Sequence, residues 1–374
     1  MIHTFAVIQS ISETQLQQIV NCFGVPSDIL SRFTSHNLRT RIPSIRVGRH
    51  ILNNHNPDTG IRSMILWHIL TNAGWQYYAV IIVEPLVMIN GERSMRLFRA
   101  DPLNVFELET HFHHIMSRFF DDESLCTLSC WSCHRIDYTV NLKFKTEQEK
   151  SVFLELTKKT SFYIRRHRKR IIGIDRNAQS TAENNKSIKI MFYDKQQQIR
   201  NVYRHIPDTL FNQLYIDAEG IIRFEVQCKK GRIRLLADQY HFENSSIIHY
   251  LNEDIALSTL LKEYEKSVGS GDFFTLYHAK KRIDSSQYSP SQKQYLYQLL
   301  QLNAQARHID IAKEQFIAGT LIKRTDIVVH GSLSTFRKRI KLLKSLGINP
   351  MPIPKERRIT YLRNPKYQVE LNNN

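Results

Sequence analysis

The segment CHRIDYTVNL, residues 133–142, determines which kind of sheet this chain is expected to build. Every second residue in its central part is apolar: Ile136, Tyr138, Val140 and Leu142. This period of two is typical of a β-strand with one buried face and one polar face. Asp137 stands in the middle of the strand, although aspartate is among the residues that strands avoid most. The sequence therefore predicts a carboxylate in the middle of a sheet, far from any turn.

A second acid occupies the same kind of position in GIIRFEVQC, residues 220–228. Glu225 alternates with apolar neighbours and, like Asp137, follows an arginine by two positions. Two carboxylates that face the same side of one sheet repel each other unless a cation lies between them. Oxygen ligands of this kind suit Mg²⁺ or Mn²⁺, so the pair is a candidate metal site. The alternative is two surface arginine–carboxylate pairs on a solvated sheet face, each of which stabilises the fold little.

A third strand is predicted in SIKIMFYD, residues 187–194. Its alternation places Tyr193 and Lys195 on the more polar side, and Asp194 on the side of the core. Asp194 becomes a further candidate metal ligand only if a bulge at the strand end redirects it. Lys195 could neutralise charge that develops on phosphoryl oxygens, or it could form a surface ion pair.

The three strands together carry a family resemblance. HRIDYTV, KIMFYDKQ and GIIRFEVQCKK, in this order, resemble the core motifs of the rolling-circle replication initiators of filamentous phages and related plasmids, the gene II/gene X group. The resemblance extends to the N-terminal strand with Pro85 and to STFRKRIKLLKSLGI near the C-terminus. Four residues match its motifs directly: Asp137, Tyr193, Lys195 and Glu225. Asp194 is not a feature that the phage members share.

This resemblance implies a metal-dependent DNA endonuclease of phage or plasmid replication. Such an enzyme nicks one strand at an origin, joins the 5′ phosphate to a tyrosine, and later religates the strand. The chain contains 16 tyrosines, and three are candidate nucleophiles. Tyr277 follows the turn GSGD and precedes the basic run HAKKR, Tyr264 lies on an apolar helical stripe, and Tyr193 belongs to the motif itself. Tyr277 is preferred because cations beside it could hold a DNA phosphate, although it could also be an interface residue, and Tyr264 could simply pack in the core.

The charge of the chain indicates a polyanionic partner. With 52 Lys+Arg against 35 Asp+Glu, the net charge is +17 at pH 7. Such an excess favours nucleic acid, although a solubility charge or an anionic membrane surface could also explain it. The cations cluster in RRHRKR and in a basic amphipathic segment, 334–347, and the candidate DNA contacts are Arg165, Arg166, Arg168, Lys169, Arg170, Arg337, Lys338, Arg339 and Lys341. Because 307–328 also has a helical pattern, a helix-turn-helix or winged-helix module is expected there.

These patterns predict an α+β protein with an antiparallel catalytic sheet flanked by helices. Residues 1–252 form the expected nicking and joining domain, and 253–374 a mostly helical, basic DNA-binding domain with a helix-turn-helix-like segment. A strand over 74–90 broken by Pro85, helices within 104–120 and 146–160, and a loop over 176–187 complete the prediction. The motif HFH at 111–113 falls in a helical pattern, where its two histidines point about 200° apart and cannot share a metal.

Several functional alternatives remain at this point. A conjugative relaxase or a transposase would use similar chemistry, whereas a DNA-binding repressor would bind without catalysis. No apolar run reaches the roughly 18 residues of a membrane helix, and no secretion signal is recognised, so a cytoplasmic location in a bacterial host is expected. The expected partners are origin duplex and single-stranded DNA, with host helicase and polymerase. A homodimer is left open, and no membrane partner is expected.

Overall fold

In the part of the chain that the structure describes, nine strands form one sheet. The computed structural model describes residues 1–22, 46–53, 59–71, 74–160, 170–172, 180–184, 186–202 and 208–371. The strands of the sheet are β1 (Ile2–Ile11), β2 (Arg46–Asn53), β3 (Ile61–Thr71), β4 (Gly74–Val83), β5 (Ser132–Lys143), β6 (Arg170–Ile172), β7 (Ser180–Asn184), β8 (Ile188–Asp194) and β9 (Ile221–Cys228). Their hydrogen-bonded order is β2-β3-β4-β1-β5-β9-β8-β7-β6. The pairs β2–β3, β3–β4, β1–β4, β1–β5 and β6–β7 are antiparallel.

Helices and short strands make up the rest of the described chain. The helices are α1 (Glu13–Cys22), α2 (Pro85–Asn90), α3 (Pro102–Met116), α4 (Glu123–Cys126), α5 (Glu147–Thr160), α6 (Lys195–Val202), α7 (Asp208–Asp217), α8 (Lys230–Tyr240), α9 (Glu253–Ser267), α10 (Leu276–Asp284), α11 (Pro290–Ala306), α12 (Ile309–Ala318), α13 (Leu333–Ser345) and α14 (Lys366–Leu371). Two-residue strands are β10 (Phe273–Phe274), β11 (Thr320–Leu321), β12 (Val328–Val329) and β13 (Tyr361–Leu362). The predicted α+β class with an antiparallel sheet is confirmed. Within the described ranges, no helix has both the length and the apolar character needed to cross a bilayer.

The chain folds into two compact units, and neither is a single stretch of sequence. Unit 1 contains Met1–Thr139, Lys186–Lys189 and Val226–Leu257. Unit 2 contains Val140–Asn185, Ile190–Glu225 and Ser258–Asn374. The domain boundary predicted at residue 252 therefore falls inside the last segment of unit 1.

In unit 1, apolar side chains of β1, β3 and β4 form a core cluster around Ala6, Ile65 and Val80. The strand predicted over 74–90 is only partly correct. It ends at Val83, and Pro85 then begins α2 instead of interrupting a strand. Proline suits the first turn of a helix because its missing N–H would have no helical partner there. Gly91 ends this helix with a φ of 73°, a backbone conformation that favours glycine.

In unit 2, aromatic rings fill the core beneath the sheet. The rings of Phe192 and Phe224, on β8 and β9, stack with their centroids 4.5 Å apart. Phe153 of α5 meets Phe192 edge to face at 6.1 Å and Phe273 at 6.2 Å. Helix α5 thus confirms the helix predicted over 146–160, and it covers this aromatic face because Phe153, Leu154 and Leu156 are buried.

Two predicted segments differ from the structure. The loop expected over 176–187 contains β7, Ser180–Asn184. The helical pattern of 307–328 gives α12, which stops at Ala318, and the remainder contains the strands β11 and β12. These two strands pair antiparallel as a hairpin, with Thr320 opposite Val329 and Leu321 opposite Val328.

Candidate functional site

Asp137 and Glu225 are buried, which corrects the solvated polar face predicted for their strands. The exposed fraction is 2% for Asp137 and 5% for Glu225. In β9 only Gln227 is more than slightly exposed, so residues on both sides of the strand are covered. A buried carboxylate is costly unless hydrogen bonds or cations compensate it. The alternative of two surface ion pairs is therefore wrong, and both acids need partners.

The two carboxylate oxygens of Asp137 differ in their partners. Its Oδ2 accepts a hydrogen bond from the Thr4 hydroxyl and lies 3.2 Å from Nη2 of Arg135. Its Oδ1 is buried and accepts no hydrogen bond of good geometry from a described group, although the Gln227 side chain acts on this carboxyl group as a hydrogen-bond donor. Burial raises the pKa of Asp137, although Arg135, Thr4, Gln227 and Lys189 all favour the charged form. A carboxyl group must be ionised to bind a metal, so a cation at Oδ1 would have to offset the burial that favours the neutral form of Asp137.

A register irregularity in β1 lies next to Asp137. Thr4 pairs with Asp137 and Ile2 pairs with Tyr138, so two steps along β1 match one step along β5. Bulges of this kind redirect side chains and are frequent beside functional sites. Here the irregularity places the Thr4 hydroxyl on the carboxylate. Thr4 could not be predicted as a partner of Asp137 from the sequence, because the two residues are 133 positions apart.

Tyr193 and Glu225 form a hydrogen-bonded pair within unit 2. The Tyr193 hydroxyl donates to Oε2 of Glu225 over 3.0 Å. Tyr193 is half-buried, whereas Glu225 is buried. A hydrogen bond to an ionised carboxylate is stronger than one between neutral groups, and it draws the phenolic proton toward the acceptor. A nucleophile within hydrogen-bond reach of a base is the arrangement expected for covalent catalysis.

Asp194 has partners on both of its oxygens. Its Oδ2 lies 2.7 Å from Nζ of the buried Lys150, and its Oδ1 accepts a hydrogen bond of 3.1 Å from the amide of Gln197. It therefore caps the first turn of α6 and neutralises a buried lysine, which leaves no free oxygen for the metal role predicted for it. The neighbouring Lys195 is also buried, and its ammonium donates to Oε1 of Gln198 over 2.7 Å.

A polar cavity of about 760 Å³ borders this ion pair in unit 2. Lys150, Lys158 and Arg358 line it together with the acids Glu147 and Asp194. Because its wall contains both cations and carboxylates, the cavity does not select a ligand of one charge.

Tyr264 is a core residue, which corrects its place among the candidate nucleophiles. Its exposed fraction is 0%, and its ring packs edge to face against Phe192 and Phe224. Its hydroxyl donates to Oδ1 of Asn364 over 2.7 Å. Burial raises the pKa of this hydroxyl well above its ordinary value. Since no phosphate can reach a fully covered oxygen, the apolar stripe of α9 indicates packing.

A Tyr264→Phe substitution should therefore change stability alone. Losing one buried hydrogen bond should lower the free energy of unfolding by about 1 kcal/mol, measured by urea denaturation. Asn364 Oδ1 also accepts from the Lys366 amide at 3.0 Å, so it keeps a partner in the variant. A Tyr264→Phe protein with normal stability and no DNA-cleaving activity would contradict the core assignment.

Tyr277 is accessible. Its exposed fraction is 61%, and Nζ of Lys281 lies 4.5 Å from the ring centroid. Among the described residues no group forms a hydrogen bond with its hydroxyl, so no base is placed to remove the proton. The prediction that Tyr277 is the nucleophile stays open, but this tyrosine lacks the acceptor that Tyr193 has.

The two basic segments differ in what the structure describes. Arg165, Arg166, Arg168 and Lys169 lie outside the described residues, and Arg170 is placed only as the first residue of β6. The DNA contacts predicted for this run stay predictions. The second segment forms α13, Leu333–Ser345, whose N-cap Ser332 accepts a hydrogen bond of 3.1 Å from the Thr335 amide. Gly347, with a φ of 69°, follows the end of this helix.

The cations of α13 divide into two groups. Its apolar face, Phe336, Ile340 and Leu343, is buried, while Arg337, Lys338 and Lys341 are exposed. Arg339 is partly buried instead, with its guanidinium carbon 4.8 Å from the Tyr295 ring centroid and 5.0 Å from that of Phe316. Three of the four predicted contacts can therefore meet DNA freely, whereas Arg339 packs against α11 and α12.

This division predicts different effects for two neighbouring arginines. Arg339→Ala should lower the free energy of unfolding by about 1 kcal/mol, because it removes two cation–π contacts. Arg337→Ala should leave stability unchanged and reduce the slope of log K against log salt for DNA binding by about 1. Urea denaturation and binding titrations at several salt concentrations measure the two effects. Equal effects of the two substitutions on the salt slope would contradict the division.

Comparisons with family models, with curated proteins and with solved structures found no match to this chain. The resemblance to rolling-circle initiators therefore remains a prediction from the three motifs. Within the described ranges, no three or more His, Cys, Asp or Glu side chains are grouped so that they could hold a metal ion. A function can therefore be proposed from three features: the Asp137 carboxylate, the Tyr193–Glu225 pair and the exposed cations of α13.

Proposed function

We propose that this protein is a metal-dependent DNA nicking and joining enzyme that initiates rolling-circle replication of a phage or plasmid. The observation that carries this proposal is the hydrogen bond of 3.0 Å from the Tyr193 hydroxyl to Glu225 Oε2. It supplies a nucleophile and a proton acceptor on adjacent strands of the sheet, in the motif that suggested the enzyme class.

The pair can perform transesterification. The Tyr193 oxygen attacks the phosphorus of the scissile phosphodiester, and its proton passes to the Glu225 carboxylate. The bond from phosphorus to the 3′ oxygen breaks, and that oxygen takes up a proton to become a free 3′ hydroxyl. The 5′ phosphate stays bound to the tyrosine, so the number of ester bonds is conserved. Attack by a 3′ hydroxyl on this link reverses the step and closes the strand.

The divalent cation of the proposed enzyme would bind at Asp137, where it would compete with Arg135, whose guanidinium lies 3.2 Å from Oδ2. Mg²⁺ is commonly held by one or two carboxylates, with waters and substrate phosphates as its remaining ligands, so a group of three protein ligands is not required. Asp137 would hold the ion through Oδ1. The metal role of Glu225 stays a prediction from the sequence. When bound, Mg²⁺ or Mn²⁺ would stabilise the negative charge that develops on the phosphoryl oxygens.

The net charge of +17 and the exposed cations of α13 support DNA as the partner. Origin duplex and the displaced single strand are the expected forms, and helicase and polymerase of a bacterial host would act on the nicked product in the cytoplasm. The same chemistry would serve a conjugative relaxase or a transposase. A DNA-binding repressor without catalysis is the second candidate. The exposed cations of α13 favour it, because they could bind DNA without any contribution from Tyr193 or Asp137.

Nicking of a supercoiled plasmid separates these functions. The plasmid should carry the replication origin of the element that encodes the protein, and the reaction should contain Mg²⁺. The expected product is an open circle with protein attached to its 5′ end, and EDTA should prevent its formation. A repressor would retard the plasmid in a gel but leave it supercoiled, and that result would reject the enzyme.

A further inference from the structure

The hairpin of β11 and β12 exposes an apolar pair to solvent. Leu321 and Val328 stand directly opposite each other, with exposed fractions of 52% and 63%. The other side of the hairpin is buried, since Ile322 and Val329 are only 3% and 2% exposed. The exposed pair is therefore not part of the core of unit 2.

Helix α11 holds the hairpin in a fixed position. Gln305 donates from Nε2 to the carbonyl of Leu321 over 3.2 Å and accepts at Oε1 from the amide of Lys323 over 2.8 Å. The turn is closed by a hydrogen bond of 2.9 Å from the Ile322 amide to the Ile327 carbonyl. A hairpin held in this way loses little conformational entropy when it binds a partner.

The tip of the hairpin is cationic. Lys323 and Arg324 are both exposed, and Arg324 adopts the left-handed conformation with a φ of 64°. Asp326 is the acid at the same tip, which leaves an excess of positive charge. The exposed surface of the hairpin thus combines two cations with two aliphatic side chains.

Close packing connects the hairpin to α13. The amide of Gly331, two residues after β12, donates to the Phe316 carbonyl over 3.1 Å. A Cβ at Gly331 would lie 2.7 Å from the Phe316 ring, so this approach requires glycine. The Phe316 ring in turn packs on Phe336 of α13, with ring centroids 5.5 Å apart. The cationic hairpin and the basic helix are therefore parts of one packed module in unit 2.

We infer that this hairpin enters the minor groove of duplex DNA while α13 holds the neighbouring phosphates. The charge of both elements matches a polyanion, and minor-groove binders combine Arg and Lys side chains with apolar residues that press between base steps. Leu321 and Val328 supply the apolar contact, and Lys323 and Arg324 supply the cations. The inference rests on the proposed function for DNA as the partner, and it assigns a DNA contact to a hairpin within the region where the sequence predicted only helical structure.

Hydroxyl-radical footprinting of the full-length protein on origin duplex tests the inference, because this reagent reports on sugars facing the minor groove. Leu321→Ser with Val328→Ser should remove protection over a few adjacent nucleotides and weaken binding about tenfold. Lys323→Ala with Arg324→Asn should lower the salt slope by about 2, and asparagine tolerates the left-handed backbone of position 324. Lys262→Ala, which removes an exposed lysine of α9, is the matched control and should leave footprint and slope unchanged.

The outcomes separate this inference from the proposed enzyme. If the wild-type protein does not nick, but the hairpin variants lose a part of its footprint, the enzyme is rejected and the hairpin contact is supported. Normal nicking with a wild-type footprint in both hairpin variants would reject the hairpin contact alone. If the Leu321→Ser and Val328→Ser substitutions instead convert a dimer into a monomer without altering the footprint, the apolar pair is a contact between copies and the inference is wrong. Absence of any duplex binding would overturn it as well.

Discussion

Replacing Tyr193 by Phe should lower the rate of strand nicking by about 10³-fold or more, because it removes the attacking oxygen itself. The substitution keeps the ring, so β8 should retain its packing. The initial rate of conversion of supercoiled plasmid to open circle, in the presence of Mg²⁺, measures the effect. Binding of origin duplex should remain within about twofold of the wild type, because the DNA contacts proposed for α13 do not involve this hydroxyl.

Two further substitutions make the Tyr193 result specific. Glu225→Gln keeps an oxygen that can accept the phenolic hydrogen bond but removes a basic carboxylate, so nicking should fall by about 10²- to 10⁴-fold. Tyr277→Phe removes an exposed hydroxyl without a base and should nick at the wild-type rate. Normal activity of Tyr193→Phe together with an inactive Tyr277→Phe protein would transfer the nucleophile to Tyr277 and reject the role given to the Tyr193–Glu225 pair.

Replacing Asp137 by Asn should abolish dependence on the divalent cation, with nicking reduced about 100-fold or more, since charge stabilisation by a metal contributes several kcal/mol. The same variant should lose thermal stabilisation by Mn²⁺. A ligand at 100 times its dissociation constant stabilises the wild type by about 2.7 kcal/mol, which is readily seen as a rise in Tm. The Tm shift does not depend on catalysis, so it reports on binding at Asp137 directly.

The dependence of stability on pH gives a second measurement on Asp137. Its folded-state pKa is raised by burial, so the folded protein binds this proton more readily than the unfolded chain. The resulting contribution to stability is fully present below the unfolded pKa of about 3.9 and is lost as pH rises through the folded pKa. Without a divalent cation, Asp137→Asn should therefore remove this loss and be at least as stable as the wild type at neutral pH.

Asp194→Asn is the matched control for Asp137→Asn. It removes one of the two carboxylates that pair with the buried Lys150 at 2.7 Å, while Glu147 stays in place. The free energy of unfolding should therefore fall by about 2 kcal/mol, the contribution of one hydrogen bond to a charged group. The substitution should not alter the Mn²⁺-induced rise in Tm. If Asp137→Asn gains the same Tm from Mn²⁺ as the wild type, Asp137 does not bind the cation.

Strands β5, β8 and β9 could be predicted from the sequence because their period of two is local. The alternation around Asp137 and Glu225 placed β5 and β9 within two residues of their observed limits. The burial of both acids could not be predicted, since whether a polar sheet face is covered depends on segments far away in the chain. Similarly, the apolar stripe of α9 was compatible with either a core role or a catalytic role for Tyr264. The contacts of its ring with Phe192 and Phe224 show that it belongs to the core.

The contacts that define the candidate site join residues that are distant in sequence. Thr4 and Asp137 are 133 positions apart, and Tyr193 and Glu225 are 32 apart. The alternation of apolar and polar residues within one strand does not specify which residue of another strand lies opposite. That pairing depends on the register, and a shift of one position moves every side chain to the other face. The hairpin at 320–329 was missed for a different reason: its strands contain two residues each, too few to show a period.

The central claim is that a tyrosine of the sheet becomes covalently linked to DNA, and locating that link tests it most directly. The wild-type protein should be incubated with an origin oligonucleotide and Mn²⁺, digested with protease, and analysed by mass spectrometry. We expect a nucleotide bonded through its 5′ phosphate to Tyr193, together with a free 3′ hydroxyl on the other product. Cleavage of the oligonucleotide with no nucleotide on any peptide would show that water is the nucleophile, and the mechanism proposed for this protein would be wrong.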